Sequence, residues 1–183
     1  MKSPGILMLI LFFACSQKPP EVRLKSYVDD PGNKITQTIT IGDISVVTKF
    51  LPVSYRSLIG SEQDSIVRED DRFYYFNVKF HKKAGDKPAK EKVLYLNFDM
   101  QNDFVLVVND LDSIAPAICQ KIENGIAGSY EYMVVFEKRN GEELSKDMTL
   151  FYHDKIFSIG TIAFVFNGKD IKKIPKLKAK EPK

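Results

Sequence analysis

Between Asn33 and Phe50 the chain alternates apolar and polar residues with a period of two. Ile35, Gln37, Ile39 and Ile41 fall on one face of an extended strand, and Thr36, Thr38 and Thr40 fall on the other. Gly42-Asp43 follows, a dipeptide suited to a two-residue hairpin turn, and the chain returns through Ile44, Val46, Thr48 and Phe50. The pattern pairs Ile41 with Ile44, Ile39 with Val46, Gln37 with Thr48 and Ile35 with Phe50. A slip of one residue would set isoleucines against serine and lysine, so the register is specified.

The same signal recurs downstream. Arg72 to Phe80 puts Tyr74, Phe76, Val78 and Phe80 on one face. Lys92 to Met100 alternates Leu94, Leu96, Phe98 and Met100 with Tyr95, Asn97 and Asp99, which predicts a strand. Gln101-Asn102-Asp103 then closes a hairpin into Phe104, Leu106 and Val108, with Phe98 beside Leu106 and Leu96 beside Val108. Tyr130 to Phe136, Met148 to Tyr152 and Thr161 to Phe166 read as further strands. The faces around Asn140-Gly141 do not match a tight turn and predict a longer loop or a bulge. Asp30-Pro31-Gly32-Asn33 suits a type II turn. The polar stretches 58–71 and 81–91 read as surface loops, and 111–127 fits either a short helix or an irregular strand. No long helical pattern follows Cys15. About eight one-sided strands make an all-β fold, an antiparallel β-sandwich of immunoglobulin-like or transthyretin-like kind, with a small closed β-barrel as the alternative. Its core is expected to hold Phe76, Leu96, Leu106, Val134 and Phe164.

The start of the chain carries a different signal. Met1-Lys2 is basic, Ile6 to Phe13 is an unbroken apolar run, Ala14 is small, and Cys15 comes next. The run is too short for a bilayer, which takes about 20 apolar residues, and it has the length of a signal-peptide core. This segment resembles the signal peptide of bacterial lipoproteins, although Phe12 stands where that pattern usually has leucine. The resemblance covers the first sixteen or so residues and implies that Cys15 becomes the acylated first residue of the mature protein. It also implies export and a lipid anchor. Ser16, directly after the cysteine, is not the aspartate that retains many lipoproteins at the inner membrane, which favours the outer membrane. The expected organisation is a signal peptide over 1–14, a lipidated tether over 15–21, a sandwich domain over 22–175 and a basic mobile tail over 176–183. Pro19-Pro20 gives the tether a semi-rigid, extended character.

Composition narrows the rest. Apolar residues are 44% of the 183, enough for a packed domain, and 27 basic against 24 acidic residues leave a net charge of +3. That balance gives no reason to expect a nucleic-acid partner. Of two cysteines, acylation of Cys15 leaves Cys119 in a small, apolar setting, where an inert thiol is expected. His81 and His153 stand at strand ends, without the ligand spacing of a zinc site. The chain has no nucleophile elbow and no phosphate-binding glycine loop, so no catalytic residue, metal or cofactor is assigned. The acidic group Glu62, Asp64, Glu69, Asp70, Asp71 and the run Asn109-Asp110-Leu111-Asp112 lack a calcium-loop pattern and read as turns. Lys169, Lys172, Lys173, Lys176, Lys178, Lys180 and Lys183 make the C-terminus basic, while Ile171 and Ile174 suggest that its first part docks on the body. The expected function is that of a non-enzymatic binding or assembly module of the cell envelope, held to the membrane by its lipid and in contact with envelope proteins. The alternatives are an envelope hydrolase, which needs an acid beside His81 or His153, and a carrier of a small apolar ligand with Phe73, Tyr75 and Tyr95 at its mouth.

Overall fold

Two antiparallel sheets stack face to face in the computed structural model, which describes residues 18–59, 72–83, 90–110, 113–139 and 146–176. One sheet has five strands, β1 (Thr36–Ile41), β2 (Ile44–Phe50), β3 (Phe73–Lys82), β6 (Ile118–Ile122) and β7 (Ser129–Glu137), in the order β1-β2-β3-β7-β6. The other has four, β4 (Phe104–Val108), β5 (Ser113–Ile114), β8 (Met148–His153) and β9 (Thr161–Phe166), in the order β5-β4-β8-β9. The sheets do not close on one another, so the molecule is a sandwich and not a barrel. The undecided stretch 111–127 supplies two strands, β5 and β6, and the short link 115–117 carries the chain between them from one sheet to the other.

The β1–β2 hairpin has the register its pattern specifies, with Ile41 opposite Ile44, Ile39 opposite Val46 and Gln37 opposite Thr48. Gly42 takes a left-handed φ of 58°, which a two-residue hairpin turn needs and glycine accepts at little cost. Phe50 N donates to Ile35 O at 3.0 Å, extending the ladder by one pair.

Aromatic side chains from both sheets fill the space between them. The Phe76 ring lies 5.4 Å from Phe50, 5.9 Å from Phe136 and 5.3 Å from Phe166, the last across the sandwich. Toward the other end Phe80 meets Tyr132, Tyr152 and Phe157 at 6.1, 4.8 and 5.1 Å. Phe76, Leu96, Leu106, Val134 and Phe164 are all buried.

Helices cap the two ends. At the end where β9 finishes lie α1 (Pro20–Asp29), α2 (Val53–Ile59) and α4 (Gly168–Lys172). Leu24 and Val28 of α1 and Ile171 of α4 are buried, as is Ile174 just beyond it. The Tyr27 hydroxyl donates to Asp170 O at 3.0 Å and ties α1 to α4. The sequence reading holds no helix here, and α1 begins inside the stretch read as tether. Its buried apolar residues are only Leu24 and Val28, four apart, since Val22 faces solvent, and Pro20 sits where the helix start tolerates a missing N–H. The turn after it is also of another type. Pro31–Asn33 is a 3-10 turn in which Gly32 N donates to Asp30 Oδ1 at 2.9 Å, and the left-handed residue is Lys34, not Gly32. The polar loop read from residue 58 is preceded by α2, and its segment 60–71 lies outside the described residues.

The opposite end holds the main correction. Lys90–Phe98 is a helix, α3, continued by a 3-10 turn over Met100–Asp103, and not a strand hairpinned to β4. Short apolar runs fit either period, and Lys, Glu and Leu are strong helix formers. The helical period splits the apolar set in two. Leu96 and Met100 turn inward at 2% exposure each, whereas Leu94 and Phe98 face solvent at 51% and 71%. The Tyr132 hydroxyl donates to Leu96 O at 2.7 Å and satisfies a carbonyl of the last helical turn.

Truncating Phe76 to alanine is expected to cost roughly 3–5 kcal/mol, the range for buried aromatics. Denaturant melts of the two proteins measure it.

Candidate functional site

Three polar clusters hold the connections between strands. Asp103 is fully buried below α3, and its Oδ1 accepts from the Tyr95 hydroxyl at 2.6 Å and from Lys155 Nζ at 3.0 Å. Its Oδ2 has no hydrogen-bond partner among the described residues. This carboxylate latches α3 and the β8–β9 loop to the body. Burial and the hydrogen bond to Asp103 raise the Tyr95 hydroxyl above its usual range. Cys119, on the inner face of β6, is pushed up to about 12 by burial and by the nearby Asp103 charge, so the thiolate is disfavoured.

Asp154 organises the β8–β9 loop. Its carboxylate accepts from Ile156 N, Phe157 N and Ile159 N at 2.9, 2.8 and 2.7 Å and from the Tyr152 hydroxyl at 2.9 Å. Burial acts to raise its pKa, but the donors outweigh burial and hold the carboxyl below its ordinary value. Glu131 does similar work on the outer face of the five-stranded sheet. It accepts from Asn77 at 2.9 Å and Asn124 at 3.2 Å and pairs with Lys79 at 3.1 Å. Again the donors overcome burial and its value is lowered.

His81 lies on β3, opposite Ser129, and His153 lies on β8, with Nδ1 3.1 Å from Thr161 Oγ1. No group of three or more His, Cys, Asp or Glu side chains converges as a metal site among the described residues. Asn109 and Asp110 are both left-handed turn residues, as their types favour. The acidic group from Glu62 to Asp71, the tail beyond Lys176 and Cys15 itself lie outside the described residues. The three aromatics placed at a ligand mouth do not share one. The Phe73 and Tyr75 rings are 6.2 Å apart on β3, with Arg56 of α2 stacked 3.5 Å over Tyr75, whereas Tyr95 lies on α3.

The outer faces of the two sheets differ in charge. That of the five-stranded sheet mixes Lys49, Lys79 and Glu131 with an apolar cross-strand row, Tyr75-Val135-Ile118, and α1 reaches it through the Asp29–Lys49 ion pair. The outer face of the four-stranded sheet is built from two cross-strand rows, Val105-Phe151-Ala163 and Val107-Thr149-Val165, with His153 beside Thr161 at one end. None of these residues is Asp, Glu, Lys or Arg. Antiparallel sheets usually turn a polar face to water; this one turns valine, phenylalanine and alanine. The sequence reading missed this face. Its signal was β4, Phe-Val-Leu-Val-Val, apolar on both sides of the strand, which marks burial on both faces.

No family model matches the chain, and no curated protein does. The chain is similar to two solved structures. A DUF4426 family protein from Pseudomonas aeruginosa PAO1 is 12% identical, with a TM-score of 0.41 over 71% of this chain and 92% of its own. A novel protein of unknown function from Burkholderia pseudomallei K96243 is 10% identical, with a TM-score of 0.45 over 85% of this chain and 88% of its own.

Replacing Asp154 with alanine leaves three loop N–H groups without their acceptor and is expected to cost roughly 2–3 kcal/mol at neutral pH. The pH dependence has a defined sign. The folded carboxyl titrates below the unfolded one, so its contribution is complete above about pH 5. It is lost as pH falls through the unfolded value of about 3.9 and then through the lower folded value. Urea melts of both proteins between neutral pH and pH 3 measure it: the difference between them should shrink on the acid side.

Proposed function

We propose that the chain is a lipid-anchored lipoprotein of the bacterial envelope whose folded body binds a protein partner and catalyses no reaction. In this reading Cys15 is the acylated first residue, the outer membrane is its destination, and the partner is another envelope protein. The observation that carries the binding role is the uncharged outer face of the four-stranded sheet, on Val105, Val107, Phe151, Ala163 and Val165. Ala163 and Val165 are exposed there, Val105, Val107 and Phe151 are half-buried, and uncharged, largely apolar surface of this kind marks interaction sites. The chemistry found elsewhere, at Asp103, Asp154 and Glu131, is spent on holding loops and helices in place.

Two measurements test the two halves. Mass spectrometry of the membrane fraction should find Cys15 acylated and residues 1–14 absent, and Cys15→Ser should move the protein to the soluble fraction. An intact Met1, or a serine variant that stays on the membrane, counts against the anchor. For the body, a photo-crosslinker at Phe151 in growing cells should give a discrete adduct with an envelope protein. Val107→Lys should remove it without changing the circular dichroism spectrum; an adduct that survives this change rules the face out as the contact.

A further inference from the structure

The two long sides of the sandwich are finished differently. On one side β5 and β6 are joined by the link 115–117, so the chain itself closes the gap between the sheets. On the other side β1 and β9 are the free edges, and the contact across the gap is a side chain: Gln37 Nε2 donates to Val165 O at 2.9 Å and to Lys34 O at 3.0 Å. An open groove of about 650 Å³ lies there, lined among others by Lys34, Thr36, Gln37, Thr38, Val165 and Asn167.

The backbone of β9 is prepared for pairing. Since Val165 O is reached from across the gap, it points away from β8. Along an antiparallel strand the hydrogen-bonding direction alternates from residue to residue, so Thr161 and Ala163 also direct their N–H and C=O outward. Their side chains and that of Val165 are exposed. Edge strands are normally blunted by charge, proline, a bulge or shortness. β5 is two residues long, and β6 carries Lys121. β1 and β9 are six residues each without a charge or a proline; in β9, Thr-Ile-Ala-Phe-Val-Phe, the register with β8 is unbroken and Val165 O faces the groove. The Gln37 amide already supplies Val165 O with the kind of N–H donor that a neighbouring strand would bring.

We propose that β9 is the site at which an extended segment of a partner protein adds to the four-stranded sheet, with a carboxylate of that segment placed at Lys34. Main-chain hydrogen bonds to Thr161, Ala163 and Val165 supply the affinity, as in other strand-addition complexes. Lys34 is the one charged side chain lining the groove, exposed at its β1 end, and it selects an acidic residue or a chain terminus at that end of the segment. The segment is otherwise uncharged, because β9 and the sheet face beside it offer no partner for charge. The proposal rests on the reading of the body as a binding module and specifies its ligand.

The test uses the full-length protein in detergent and a library of random peptides of roughly ten residues, the length of a long strand. Selected peptides should be β-branched or aromatic at alternate positions and carry a carboxylate at one end. Bound peptide should slow amide exchange at Thr161, Ala163 and Val165 by at least about tenfold, equivalent to 1.4 kcal/mol. Lys34→Glu should weaken binding several-fold, and Val165→Lys, at an exposed position that leaves the core intact, should abolish it. Four outcomes overturn the proposal: no enrichment over the Val165→Lys protein, selection of cationic peptides, protection of Thr36, Thr38 and Thr40 on β1 in place of β9, or a dimer that already protects β9 without peptide. If β9 is inert while Val107→Lys still removes the adduct in cells, the binding role stands and only the strand-addition site fails.

Discussion

Everything in this molecule depends on the seal between two apolar sheet faces. Phe50 and Phe76 from one sheet meet Phe166 from the other, with Phe136 packed on Phe76, and Phe80 meets Tyr152 across the gap in the same way. Such offset and edge-on contacts add to the area that aromatic rings bury. A stack of two sheets leaves four borders to be finished, and each is finished by a different device. Three helices cover one end. One helix and the Asp154 loop cover the other. The link 115–117 closes one side, and Gln37 bridges the remaining one.

The buried polar groups follow from that arrangement. A loop that turns back over a hydrophobic end carries peptide groups with no sheet to join, and these must find partners. Asp154 takes three of them in the β8–β9 loop, and the Tyr132 hydroxyl takes Leu96 O in α3. Asp103 fixes α3 and Lys155 with a single carboxylate oxygen. Asp154 and Tyr132 resemble catalytic groups in shifted proton affinity and Asp103 resembles one in burial, yet their partners are the protein's own backbone, tyrosines and lysine.

How far the sequence revealed this depends on the range over which each feature is encoded. The β1–β2 hairpin is local: a period of two and Gly42 at a left-handed position determine it completely. The inward residues of β3, β7, β8 and β9 are equally legible, since each strand states its own buried face. α3 was not legible, because Leu94, Leu96, Phe98 and Met100 satisfy a strand period, and only contact with Tyr132 and Asp103 favours the helix. α1 escaped for the opposite reason: two buried apolar residues are too few to raise a pattern. The candidate surface was half visible. The pairing of Gln37 with Thr48 was legible in the hairpin register, but nothing local shows that β9 is an edge, because strand order is a property of the whole chain.

The outer face of the four-stranded sheet is where fold and function part. The seal between the sheets needs Phe104, Leu106 and Val108 on β4 and Ile162, Phe164 and Phe166 on β9, all of them buried. It makes no demand on Val105, Val107, Ala163 or Val165, which point the other way, and threonine or lysine there would serve the sandwich as well and resist association better. The five-stranded sheet sets charge, Lys79 and Glu131, beside its own apolar row Tyr75-Val135-Ile118. Apolar residues on both sides of β4 and β9 therefore fit the proposal that a partner covers the second face and the free edge of this sheet. Within the described residues the chain supplies no cover for either. A strand added at β9 would lie beside Val165 and Ala163 and widen the same sheet, so one partner can satisfy the unused backbone groups and shield the apolar face beside them.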